Sequence, residues 1–179
     1  GNYEVYLDTT QHGGDAFICP NRAYDKDPEV GKWLANVDFR RALSLGVERN
    51  KINEVFFLGL GTPGSLAPAE GAPVSPGPDS VWRNLWSTYD PETANAMLDR
   101  IGLDKKDSDG FRLRTDGKGR LTMELMTYLS FMNFTQFGEM MKEQWKDIGI
   151  DINVKEYERT LSSQRRKNNE HHLTIATNW

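Results

Sequence analysis

The chain is poor in cysteine. Cys19 is the only one in 179 residues, so no disulfide can close within it. Its apolar setting in AFICP marks a small buried side chain rather than a reactive thiol, and one thiol leaves the redox compartment open. No apolar run reaches the roughly 18 residues that a membrane-spanning helix needs. The opening GNYEVYL has neither the basic start nor the apolar core of a secretory leader. An excess of one charge is missing too: 22 Lys and Arg stand against 26 Asp and Glu, a net charge of -4. The densest basic cluster, Arg165, Arg166 and Lys167, is short and reads as a solvated helix face, so nucleic acid is not an expected partner.

Catalytic and metal patterns are also wanting. No GxSxG, HExxH, CxxC, Walker or GxGxxG arrangement occurs, and Gly59, Gly61 and Gly64 do not follow dinucleotide spacing. Of three histidines, His12 stands alone in a turn, and the adjacent His171 and His172 would point to opposite faces of a strand, which excludes joint zinc ligation. The acidic stretch from Asp104 to Gly110 fails the calcium-loop pattern, because Lys106 and Asp109 fall at its third and sixth positions. It reads as a solvated turn. The expectation is therefore no catalytic residue, no metal and no cofactor.

What remains is an ordinary globular composition, 37% hydrophobic and 27% charged, in a chain long enough to bury roughly 70% of its unfolded surface. The stretch from Val37 to Phe56 is the strongest helical signal. Phe39, Ala42, Leu43, Gly46 and Val47 share one face, with Asp38 as the expected N-cap and Val37 as a weak staple over Ala42. Arg40, Arg41, Ser44 and Glu48 should face water. Two arginines in a first turn oppose the helix dipole, which hints at a tertiary or partner role. Asn50 should cap a shorter helix carrying Ile52, Val55 and Phe56, stopped by Gly59 and Gly61.

Before this stretch, Tyr3–Asp8 and Ala16–Cys19 read as strands that could form a hairpin across His12–Asp15, and Pro28–Leu34 reads as a helical turn anchored by Trp33 and Leu34. After it, Thr62–Asp79 holds five of the eight prolines. Trp82, Leu85 and Trp86 form a short helical clump, either core anchors or a stacking platform. Asp90 and Pro91 open a helix that carries Ala94, Met97, Leu98 and Ile101 and ends at Gly102. Phe111–Arg114 and Leu121–Leu129 read as strands joined near Asp116 and Gly117, the second one central, with Leu121, Met123, Leu125, Thr127 and Leu129 on one face. Phe134, Phe137, Met141, Trp145 and Ile148 then mark a four-turn helix, and Ile150, Ile152 and Val154 alternate in a strand. Strand, helix and strand with short joins predict a parallel, right-handed βαβ unit. A polar helix over Glu158–Asn169 and a strand over Leu173–Thr177 complete an α/β chain with a mixed β-sheet and packed helices.

Three segments carry a resemblance: DFRRALSLGVERNKI from Asp38, YDPETANAMLDRIG at Tyr89–Gly102 and QWKDIGIDINV at Gln144–Val154. In this order and spacing they resemble the second lobe of the family 5 extracellular solute-binding proteins, the oligopeptide, dipeptide and nickel receptors of ABC importers. The resemblance implies one lobe of a type II periplasmic-binding-protein-like fold, with residues 1–179 a single domain and the other lobe outside this chain. It implies solute binding without turnover, short peptides first, oligosaccharides second and nickel or haem-type ligands a distant third. The implied partners are the ABC permease membrane subunits and the first lobe of the same full-length protein. The implied location is periplasmic or extracellular, with a lipoprotein anchor as an option for the full-length form. By position it nominates Asn21, the loop Gly59–Pro68 with Gly59 and Gly61, and Trp179, beside which a ligand-anchoring acid would lie beyond the chain. Trp82 and Trp86 join them if the stacking reading holds. Two readings from other classes stay open: a small hydrolase with a carboxylate pair, and a stand-alone interaction domain.

Overall fold

One residue joins the first two helices. Asn36 ends α1 (Pro28–Ala35) with its backbone N–H on the carbonyls of Lys32 and Trp33, and its side-chain oxygen caps α2 (Val37–Leu45) by accepting from the N–H groups of Asp38 and Phe39 at 2.9 and 3.0 Å. A computed structural model of the chain describes residues 3–4, 14–69, 71–77 and 79–177. Asp38 is therefore not the cap; it lies in the first turn and pairs with Arg41 at 3.0 Å. Val37 is 48% exposed and is the first residue of α2, so it does not precede the cap as a staple would. The two arginines are not simply solvated. Arg40 donates to the last carbonyls of α1, those of Leu34 and Ala35, and so serves as a cap from the neighbouring helix. Arg41 lies over the Trp86 ring at 4.7 Å. Ser44 also turns inward, donating to the Trp86 carbonyl.

The sheet has four strands in the order β1-β4-β2-β3. β1 (Phe17–Pro20) runs antiparallel to β4 (Leu173–Ala176), with Phe17 opposite Ala176. β2 (Thr122–Tyr128) is parallel to both β4 and β3 (Asp151–Tyr157). The expected strand Tyr3–Asp8 lies mostly outside the described residues; the partner β1 shows is β4. The predicted βαβ unit is β2, α6 (Phe134–Trp145) with a 3₁₀ turn at Lys146–Ile148, then β3. Phe134, Phe137, Met141, Trp145 and Ile148 are all buried, each worth about 2 kcal/mol before entropy is charged. Gly138 lets α6 settle onto the sheet: a Cβ there would meet Val154 Cγ1 at 2.8 Å and Leu125 Cδ2 at 3.2 Å. Gly149 takes φ 71° to turn from the 3₁₀ end into β3.

The face of β2 is shorter than its pattern. Leu121, Met123, Leu125 and Thr127 are buried, but Leu129 lies past the strand end and is 76% exposed. The expected strand at Phe111–Arg114 reduces to single bridges, Lys106 to Arg112 and Leu113 to Arg120. Backbone bonds still close the hairpin, from the Arg114 N–H to the Gly119 carbonyl and from the Leu121 N–H to the Arg112 carbonyl, and side chains reinforce it. Arg112 is fully buried and donates to the carbonyls of Ile148, Leu103 and Asn95 and to the Asp99 carboxylate. Arg114 forks onto Asp27, which caps α1. That bond holds the Asp27 carboxyl below the usual carboxylate range.

α3 (Arg49–Phe56) begins after Glu48, which makes no side-chain cap bond; Asn50 lies inside it and Val55 is 54% exposed. α5 (Pro91–Arg100) runs as its end signals predict, from Asp90 as cap to Gly102 at φ 96°. α4 (Val81–Asn84) and α7 (Arg159–Lys167) are short surface helices. The buried side chains of α1, α2, α3, α5, α6 and all but the outer face of the sheet belong to one connected hydrophobic cluster.

Candidate functional site

α2 and α6 meet end-on through Trp145, whose indole N–H donates to the Leu43 carbonyl at 3.0 Å. Beside this contact the two helices leave an apolar floor made of Leu43, Val47, Phe137, Met141 and Trp145. One wall is the start of β1, Gly14–Ile18, and the other is the proline-rich loop from Gly61 to Ala67. Together they enclose a groove of about 860 Å³, within the range of small-ligand clefts.

The loop wall is fixed by two arginines. Arg49 sits at the start of α3 and donates to the carbonyls of Gly64, Ser44, Val47 and Ser87 and to Ser44 Oγ. It ties the end of α2 to both ends of the 62–87 segment, and burial pushes its pKa down. Arg83 donates to the carbonyls of Pro68 and Gly77. Ser65 closes the arrangement by donating to the carbonyls of Trp82 and Arg83. A segment with five prolines has few N–H groups to give, so side chains reach its carbonyls instead. Spacing gave no signal for these roles, because their partners are backbone oxygens distant in sequence.

The nominated residues that the structure describes do not all line one site. Gly61 lines the groove, and its N–H is held by Asn53 Oδ1 at 2.8 Å. Gly59 turns the chain at φ 77° but is not part of the lining. Asn21 lies at the far end of β1, and its amide is engaged internally with Asn169 and the His171 carbonyl. Trp82 is 67% exposed and lines a smaller depression with Leu66, Val74 and Leu85. Trp86, at φ 60°, packs on the core under Arg41. Trp179 lies outside the described residues.

Near the Asn21 end, the histidines act separately. His172 Nδ1 accepts the backbone N–H of Glu124 at 3.0 Å, and its ring meets Tyr24 edge-on. Burial pushes its pKa down, with Arg165 adding to this while Glu124 and Asp27 oppose it. His171 is lowered by burial first, then by Arg166, His172 and Arg165. Among the described residues no group of three His, Cys, Asp or Glu side chains could hold a metal ion. The half-buried Cys19 thiol is pushed up by desolvation, which makes it a poor nucleophile. No helix among the described residues is long and apolar enough to cross a membrane.

Comparison with known proteins places this geometry. The family model described as "Bacterial extracellular solute-binding proteins, family 5 Middle" matches residues 2–179. A curated relative from Deinococcus radiodurans, described as "Probable ABC transporter-binding protein", is 27% identical over 125 residues, which is 69% of this chain and 20% of that protein. Among solved structures, the oligopeptide-binding protein OppA superposes with a TM-score of 0.85 at 31% identity, covering 94% of this chain and 25% of that one. A periplasmic oligopeptide-binding protein from Thermotoga maritima, solved with mannohexaose, gives 0.74 at 21% identity over 93% of this chain and 30% of that one, a likeness of fold. The chain thus spans less than a third of the length of each of these relatives.

Proposed function

The chain belongs to the family 5 bacterial extracellular solute-binding proteins, and from that premise we propose that residues 1–179 form one lobe of a two-lobed receptor that binds short peptides and delivers them to an ABC permease. The observation that carries the reading is the pairing of Phe17 with Ala176. Phe17 begins β1 and Ala176 ends β4, so the chain enters and leaves the sheet at facing positions, as the two strands of a hinge would. The groove opens at that same end, since Gly14–Ile18 form one of its walls. A second lobe hung on these strands would close over it and bury a solute between the halves.

Peptide is favoured because the 31%-identical structure is an oligopeptide-binding protein. An apolar floor under a rim of polar groups suits a ligand with varied side chains on a regular backbone. Among the described lining residues Asp15 is the one carboxylate, so no pair of acids for hydrolysis stands among them. The receptor works outside the cytoplasmic membrane, in the periplasm or on the cell surface, and its ligand leaves chemically unchanged.

The test is purification of the full-length receptor without refolding, followed by mass spectrometry of the small molecules released on denaturation. Short peptides are expected. Oligosaccharides in their place would transfer the reading to sugars, and cleavage of an added peptide during incubation would overturn binding without turnover.

A further inference from the structure

Although the chain as a whole is net negative, among the described lining residues three guanidinium groups, Arg40, Arg49 and Arg83, stand against one carboxylate, that of Asp15. The ion pairs that arginine makes among the described residues engage Arg41, Arg112, Arg114, Arg120 and Arg165. The groove arginines meet neutral acceptors instead, which fix their geometry and leave their charge. Arg40 uses Nη1 on the Leu34 and Ala35 carbonyls at 2.9 and 2.7 Å. Its Nε and Nη2 have no hydrogen-bond partner among the described residues. Arg83 uses Nη2 on Pro68 and Nε on Gly77 at 2.7 and 3.4 Å, with Ser75 Oγ nearby, and keeps Nη1 open in the same sense. A guanidinium pinned along one edge and open along another is a pre-organised fork for a carboxylate, because the rotamer entropy of binding is already lost.

We propose that the groove selects anionic ligands, and that Arg40 and Arg83 are specificity-determining residues that receive a carboxylate of the bound peptide. This rests on the peptide-receptor reading above and deepens it. Arg49, whose three nitrogens are engaged by four carbonyls and the Ser44 hydroxyl, adds to the positive field and positions the loop. Asp15 opposes the anion from the other wall.

The test is calorimetric titration of the full-length receptor with two synthetic peptides of one length that differ only in glutamate or glutamine at an internal position. The glutamate peptide is expected to bind about tenfold tighter or better. Arg83→Gln should bring the two affinities to within about threefold, while Arg83→Lys, which keeps the charge, should retain most of the preference. Asp15→Asn leaves the loop bonds untouched and should tighten the glutamate peptide alone. Equal affinities in the unaltered receptor, or equal losses for both peptides in both Arg83 variants with no effect of Asp15→Asn, would overturn the inference and leave peptide binding standing. Failure of both peptides to bind would overturn the receptor reading itself.

Discussion

Asn36 shows how much one side chain can fix. With φ -71° and ψ 125° it is the only extended residue between two helices, and its amide oxygen satisfies two N–H groups that no carbonyl can reach. Asn36→Ala should lower stability by about 1 kcal/mol. Asp38→Ala removes only a half-exposed pair with Arg41 and should cost less than about 0.5 kcal/mol. Paired urea denaturation curves separate the two; the larger loss at Asp38 would return the cap to it. The sequence holds cap-forming residues at 36 and 38, and periodicity favours the one next to the first apolar residue. What tips the choice is the end of α1 at Ala35, which becomes visible only once Pro28 and Asp27 are recognised as the start of a complete helix. Arg40 was flagged by its place against the helix dipole, whereas Arg49, Arg83 and Arg112 were hidden for a related reason. Each answers carbonyl oxygens, and every residue type carries one.

Among elements, the βαβ unit was legible because its side chains repeat with two clean periods and its joins are short. In the 111–120 segment the turn at Asp116 and Gly117 was legible, and an antiparallel bridge from Leu113 to Arg120 closes it. Its anchoring was not, because Arg112, Arg114 and Arg120 reach acidic and carbonyl oxygens across the fold. α6 lies against β2 and β3 at a distance that Gly138 sets. Val154 is β-branched and has few rotamers to yield with, so Gly138→Ala should cost about 1–3 kcal/mol through overpacking, despite alanine's better helix propensity. Thermal unfolding of that variant checks this. A rise in midpoint would mean that the helix can lift without loss.

At the scale of the whole molecule, β4 is the strand on which distant parts of the chain converge, between β1 and β2, with the two histidines at its entry. Their lowered pKa values govern how the fold answers acid. An unfolded histidine takes up its proton near pH 6.5, while folded His171 and His172 resist it, so stability is full above that pH and falls as pH drops through and below it. Carboxylates held low, Asp27 among them, lose their contribution only at more acid pH. The unfolding midpoint should therefore fall between pH 7.5 and 5.5, and by less in His172→Gln. An equal fall in both would move the effect to other groups. The family and the mixed α/β fold were readable through the three family-like segments and the element pattern, but the groove was not. It is lined by residues from α2, α6 and the start of β1 and by a loop whose path depends on two arginines, a convergence that is not periodic in the chain.

The Phe17–Ala176 pairing has a practical side. Two strand ends facing each other across one rung of a ladder are about 5 Å apart, so a turn of a few residues could splice them. Everything between could then be cut from a longer polypeptide, or transplanted into another, as a cassette whose seam lies at one point of the surface.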